Sequence, residues 1–458
     1  MDKTAPTNTS ERFHFGGIVS RMVHAIQGFR GSYRTMRRIE RVEVELEHLS
    51  RELAELGKEL VDVRKELIAQ GERFGTFASS GSLDAFLQEM QSEPHDFLPE
   101  TLFAARRRRI TLSVPQALVP HFSSFFTPET RIAFPKTEHG FGDGDASWRF
   151  SDAVVLWGIC PRTTSLLLLR HARGLDLPTY IAEDGFLKSV NPVVASGDVK
   201  WRVGISLTVD RRTAYYDGTR SSTLESWLNS SETVSPQELN RAKSLMRFIV
   251  EERLTKYNHQ PIREPEIGTK GKKKVLVVDQ SYGDYSIRRG CADENTFRHM
   301  LRCAIEENPR AEILVKTHPD TLAGVGGYLT RLPNHGNVIP ITFPINPISL
   351  LLTVDRVYVV SSQFGFEALM CGKEVSVFGM PFYANWGLTD DRLRCARRTR
   401  TRSLEEVFAM AYMRYTHYCN PETGRRCSIE EAIQWLLQQR TAYQEEFGIP
   451  CRIDAKAA

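Results

Sequence analysis

The run KKVLVVDQSYGDYS at residues 273–286 decides the fold. Its apolar centre, Val275 to Val278, stands between lysines and a polar loop holding Ser281, Tyr282, Gly283 and Asp284. A continuous apolar run that short, rich in β-branched residues, reads as a strand covered on both faces. The pattern recurs in AEILVKTHPD (311–320), DRVYVVSSQFGFEALMCG (355–372) and EVSVFGMPFYANWGLTDD (374–391), with helix-like segments among them. Each run gives way at once to small, hydroxylic or charged residues. A parallel sheet presents a ligand site in this way, at the carboxyl ends of its strands. The expected class is α/β.

At 458 residues the chain exceeds one ordinary core, so two domains and an appendage are expected. Apolar residues at 41% and charged residues at 25% are those of a soluble globular protein. Arg106 to Arg109 form a basic run, but no aromatics interleave it and the net charge is only +4. That pattern reads as a solvated face or an acidic-ligand contact, and nucleic acid is not an expected partner. Eight cysteines without a CxxC pair read as reduced thiols in a cytoplasmic protein rather than disulfides or a zinc site. AVVLWGIC and SLLLLR are far shorter than a membrane span, and the N-terminus has no signal-peptide core.

Residues 1–38 read as a polar tail and a basic amphipathic helix, with Phe15, Val19, Met22, Ile26 and Phe29 among arginines. Such a helix either makes a peripheral contact with an anionic inner-membrane face or packs on protein. Over 39–70, Ile39, Val42, Leu46, Leu49, Leu53, Leu56, Leu60, Val63 and Leu67 step by three and four. That spacing predicts a coiled coil and a homo-oligomer. A connector at 71–99 leads to a first α/β domain at 100–260, in which SLTVDRRTAYYDGT (206–219) has hairpin character and 238–257 reads as one long helix. The linker HQPIREPEIGTKGKKK, rich in Pro, Gly and Lys, marks the boundary to a second α/β domain at 273–400. Asp390-Asp391 reads as a helix-start cap. Two helices follow within 401–450, opening on Ser403 and Ser428 with Glu close behind.

EDGFLKS (183–189), YYDGTRSSTLE (215–225), AKSLMRFIVEERLTKYN (242–258), VLVVDQSYGDYSI (275–287), VKTHPD (315–320), SSQFGFEAL (361–369) and PFYANWGLTDDR (381–392) together resemble the capsule polysaccharide biosynthesis glycosyltransferases. More narrowly, they resemble the β-Kdo transferases that build a capsule linker or cap an O-antigen. The resemblance covers residues 100–445. It implies a GT-B-like architecture, two Rossmann-like domains facing a cleft, with C-terminal helices crossing back. It also implies CMP-Kdo as donor, a glycan or glycolipid acceptor, and retention of the anomeric configuration. Lys188 stands where the family usually has Arg, and Asn385 where it usually has Gly.

The residues suit that chemistry. A CMP leaving group needs its phosphate held more than protonated. His318, the hydroxyls of Ser361 and Ser362, and the amides of a helix starting near Gln363 are placed for it. Glu367, one turn on, can accept ribose hydroxyls. Lys316 and Arg288 are the cations expected near the Kdo carboxylate, Lys316 equally suiting the phosphate. Double displacement needs a carboxylate nucleophile and a base. Asp284 is the expected nucleophile; Glu183, or Asp184 beside it, is the expected base. No metal-ligand cluster stands out, so no metal or other cofactor is expected. The plainer readings are turn formation for Asp284 and helix capping for the serines. Rival functions are a catalytically silent, nucleotide-sugar-binding scaffold and a transferase for another CMP-sugar.

Overall fold

A computed structural model of the chain describes residues 88, 109–113, 125, 131–133, 151–159, 163–192, 198–316, 326–330, 332–333 and 335–449. The expected basic helix and coiled coil lie outside these residues, as does the connector apart from Gln88. All described residues belong to the unit Gly81–Ala458.

Among the described residues the first sheet has seven strands. Four of them, β1 (Arg109–Ser113), β2 (Arg131–Ala133), β3 (Ala153–Trp157) and β4 (Thr179–Asp184), run parallel. Helix α1 (Thr163–Gly174) is the crossover from β3 to β4. Strand β5 (Ser206–Asp210) pairs antiparallel to β4. No hairpin forms within 206–219: β5 runs into turns fixed by the Asp210 carboxylate, which accepts from the Arg212 and Thr223 backbone N–H groups. Helix α2 (Thr223–Asn229) is capped by Ser222, and α3 (Pro236–Glu251) by a reciprocal Ser235–Glu238 box. Helix α3 stops at Glu251, short of the expected 257, and Arg253 turns the chain with φ 57°.

The second sheet is wholly parallel. Its strands are β6 (Lys274–Val278), β7 (Glu312–Lys316), β8 (Val338–Ile341), β9 (Arg356–Val359), β10 (Glu374–Val377) and β11 (Asp390–Asp391). Between them come α4 (Tyr285–Arg289), α5 (Glu294–Glu307), α6 (Pro347–Leu351) and α7 (Phe364–Met370). The spatial order is β8-β7-β6-β9-β10-β11, so the direction of winding reverses between β6 and β9. In a doubly wound sheet the crevice for a ligand opens at that reversal. The acids Asp390 and Asp391 form an edge strand on β10 rather than a helix cap: Asp390 pairs with Arg356 and Arg392, and Asp391 accepts from the Asn385 N–H. Asn385 itself has φ 65°, a left-handed conformation that Asn tolerates better than most residues.

After the second sheet the chain returns. Helix α8 (Leu404–Phe408) continues as a π-helical turn, Ala409–Tyr415, into β12 (Thr416–Asn420) and β13 (Arg425–Cys427). Strand β12 pairs antiparallel with β5, which completes the first sheet, and α9 (Ile429–Phe447) follows. The return ties the halves together. Arg398, buried, pairs with the buried Glu225 of α2 and donates to the carbonyls of Pro381 and Ala384. Phe186, just past β4, packs against Tyr215 of its own half and against Phe382 and Tyr412, with centroids 4.7–4.8 Å apart. Truncating such a buried ring typically costs about 3–5 kcal/mol. This packing fixes the end of β4 against the second half.

Candidate active site

Strand β4 delivers Glu183 and Asp184 together. Gly158, after β3, has φ 63°, and a Cβ there would sit 2.6 Å from Glu183 Oε1. The carboxylate therefore lies over bare backbone, a place only glycine leaves open. The Tyr216 hydroxyl donates to Glu183 Oε1 at 2.9 Å, and the Asp184 N–H to Oε2 at 3.2 Å. Burial, and then the charge of Asp184, push Glu183 up to about 7; Lys256 and Tyr216 pull the other way. Asp184 is buried in an ion pair with the buried Lys188, and Lys256 Nζ lies 3.9 Å from its other oxygen.

In the second half, loops on either side of the winding reversal are stitched together. The Asp279 carboxylate accepts from the N–H groups of Gln280, Tyr328 and Leu329. The Gln280 amide oxygen accepts from the Ser361 N–H at 3.1 Å. Asp284 is exposed at the start of α4, where one oxygen accepts from the Ser286 N–H at 2.8 Å. Ser361 and Ser362 are partly buried, and Ser362 Oγ accepts from the Phe364 N–H at 3.2 Å. Asp284 and Ser362 thus make the local turn and cap bonds their residue types favour. Lys316 is buried at the end of β7, where burial brings it down to about 8, and it has no ion pair among the described residues. Arg288 is exposed on α4; its neighbour Arg289 is the one facing a carboxylate, Asp217, at 3.9 Å. His318 lies outside the described residues.

The two halves meet at Gln363 and Glu367. Gln363 Nε2 donates to the Phe186 carbonyl at 2.8 Å, across the junction. Glu367 is buried and pushed up to about 8 by that burial, although it accepts from the Lys256 backbone and the Gln363 amide. The Tyr215 hydroxyl is driven up chiefly by burial, and the charges of Glu183, Asp184 and Asp284 all act on it. The structure therefore gathers Glu183, Asp184, Gln363 and Glu367 around Lys256, with Asp284 within electrostatic reach of the same Tyr215, and leaves Arg288 facing solvent.

The model of the family described as capsule polysaccharide biosynthesis protein matches residues 152–419, which hold both strand-end clusters. The chain belongs to this family. Capsule polysaccharide modification protein LipA of Neisseria meningitidis serogroup B is 40% identical to it over 341 residues, 72% of this chain and 46% of LipA. The chain thus spans about half the length of that relative. Lipopolysaccharide-processing protein LpsZ of Rhizobium meliloti is 35% identical over 347 residues, 74% of this chain and 76% of LpsZ. Among solved structures, the Thermosulfurimonas dismutans KpsC beta Kdo 2,4 transferase is similar with a TM-score of 0.63 and 40% identity, over 73% of this chain and 99% of that one. The KpsC beta Kdo 2,7 transferase of the same organism is similar with a TM-score of 0.53 and 26% identity, over 72% and 99%.

Sequence reasoning missed Lys256, Tyr215 and Tyr216 as members of the site. All three lie in motifs quoted above for the resemblance. Lys256 was hidden because nothing in VEERLTKY signals a helix end. The tyrosines lay in a segment expected to be a hairpin.

Proposed function

We propose that the protein is a retaining glycosyltransferase that moves β-Kdo from CMP-Kdo to a Kdo- or glycan-terminated acceptor during assembly of a bacterial capsule or other surface polysaccharide. Family membership and 40% identity to a protein named as a beta Kdo 2,4 transferase support the class. The observation that carries the reading is the carboxylate set around Lys256, drawn from β4 and α7, at a junction beside the winding reversal of a parallel sheet. We read the two sheets as the halves of a GT-B-like transferase.

In this reading an Asp284 oxygen attacks the anomeric carbon while the bond to the CMP phosphate breaks and its electron pair leaves with CMP. Glu183 then takes the proton of the acceptor hydroxyl, whose oxygen displaces Asp284 from the same carbon. Two inversions give net retention. A base pushed up to about 7 is matched to work near neutral pH. Asp184 suits that role less, since Lys188 already claims it. Lys316, His318, Ser361 and Ser362 would meet the phosphate, and Glu367 the ribose; the proposal includes no metal. The test is release of CMP from CMP-Kdo by the purified chain with a Kdo-terminated acceptor. Turnover that disappears in Asp284→Ala and Glu183→Gln is expected. No release with any acceptor, alongside stabilisation of the fold by CMP, would instead favour a silent scaffold.

A further inference from the structure

We propose that Lys256 is a positioning residue of this reaction: the counter-charge that lets Glu183 ionise beside the carboxylate of Asp184. The inference deepens the function proposed above and rests on it. Asp184 and Lys188 form a close, buried pair, and Lys256 lies on the other Asp184 oxygen. Glu183, next in the chain, still feels Asp184 and the loss of water. From the loop after β5, Tyr216 donates its hydroxyl to Glu183 and Tyr215 lies within its electrostatic reach, while Glu367 of α7 accepts from the Lys256 backbone. Asp284 acts on the same Tyr215. The cation left to balance a second carboxylate is Lys256, 3.9 Å from Asp184 and over the ring of Tyr257 at 5.8 Å.

The backbone holds that ammonium group in place. The Lys256 carbonyl accepts from the N–H groups of Lys188 and Ser189, and its N–H goes to Glu367. Asn258 closes the turn by donating to the Ser189 and Thr255 carbonyls. Lys256 thus sits between β4 and α7 by main-chain bonds alone, leaving its side chain, 29% exposed, for electrostatics. With Asp184 negative and Lys188 and Lys256 positive, the cluster has room for one further negative charge. Of Glu183 and Glu367, Glu183 is the more exposed and the less raised, so it takes that charge.

The test compares full-length wild type, Lys256→Arg and Lys256→Met in pH profiles of CMP release from CMP-Kdo. Removing a nearby opposite charge raises a carboxylate by about one unit or more. The acid limb should move up by that amount in Lys256→Met, turnover at pH 7 should fall roughly fivefold or more, donor KM should hold, and Lys256→Arg should restore the limb. An unmoved limb overturns the proposal, as does a rise in KM with the limb unchanged, which would make Lys256 a substrate contact. If the methionine variant melts early, Lys256→Gln repeats the comparison. If even wild type releases no CMP, the proposed function fails, and infrared titration of the Glu183 carboxyl, assigned with Glu183→Gln, decides the inference alone. The protonated band should then persist to higher pH in Lys256→Met than in wild type, and coincident titrations would refute it.

Discussion

At the end of β4 the charged groups already have partners within the protein, whereas in the second half Asp284 faces outward and Lys316 has no ion pair among the described residues. Asp184 holds Lys188, and Glu183 holds Tyr216 and a backbone N–H. Across the junction Asp284 is exposed, and Lys316 is buried without an ion pair among the described residues. The first cluster is preorganised and its cost is met at folding. The second leaves the Lys316 ammonium without an ion pair among the described residues. In the function proposed above, a site so divided would bind its donor chiefly through one half and tune its proton chemistry through the other.

Breaking the paired side should have the largest effect. Lys188→Met leaves the buried Asp184 with only the more distant Lys256 as counter-charge and should cost about 3 kcal/mol in urea unfolding. Adding Asp184→Asn to that variant should recover much of the loss. If Lys188→Met is as stable as wild type, the first cluster is not preorganised by charge.

Glu367 sharpens the comparison because it belongs to the second half yet is buried like the first. Its folded value, about 8, lies above the ordinary 4.5, so the folded state binds the proton more tightly than the unfolded one. That contribution is fully present below pH 4.5 and is lost as pH rises through 8. Glu367→Gln should remove a pH-dependent fall on the order of 2–4 kcal/mol across that window. Parallel stability curves for wild type and variant would contradict it.

The smallest effect on the empty protein is expected at Lys316. Its folded value, about 8, lies below the ordinary 10.5, so its contribution is present above 10.5 and is lost as pH falls through 8. At neutral pH, Lys316→Met should therefore be neutral or stabilising by about 1 kcal/mol. The proposed function predicts that CMP raises the melting temperature of wild type and that the same variant loses this rise. Retention of that rise would place the anion elsewhere.

The second sheet was legible in the sequence because its central strands are buried on both faces, and apolar runs such as VLVV and EILV announce them. The first sheet was legible only in part. THYCN and RRC hold a hairpin at its edge with few apolar residues, so their strand character comes from pairing with β5 and with each other. Asp390-Asp391 is likewise a strand by position, Asp390 matched by Arg356 and Arg392 and Asp391 accepting from Asn385 and Thr389 rather than capping a helix. The end of α3 carries no Gly or Pro; Arg253 takes the left-handed turn instead, and Lys256 leaves the helix unannounced. Glu183 and Asp184 could be placed from the sequence because the apolar run of β4 ends on them, and Asp284 because it stands in the polar loop after β6. Lys256 could not, because its place depends on tertiary hydrogen bonds to Ser189 and Glu367.

The central claim is that an Asp284 oxygen bonds transiently to the transferred sugar, and intact-mass measurement after mixing with CMP-Kdo tests it most directly. Wild type should gain the mass of one Kdo residue, held longer in Glu183→Gln, while Asp284→Ala should gain nothing. An adduct of equal yield in Asp284→Ala, or turnover by that variant at the wild-type rate, would contradict the account.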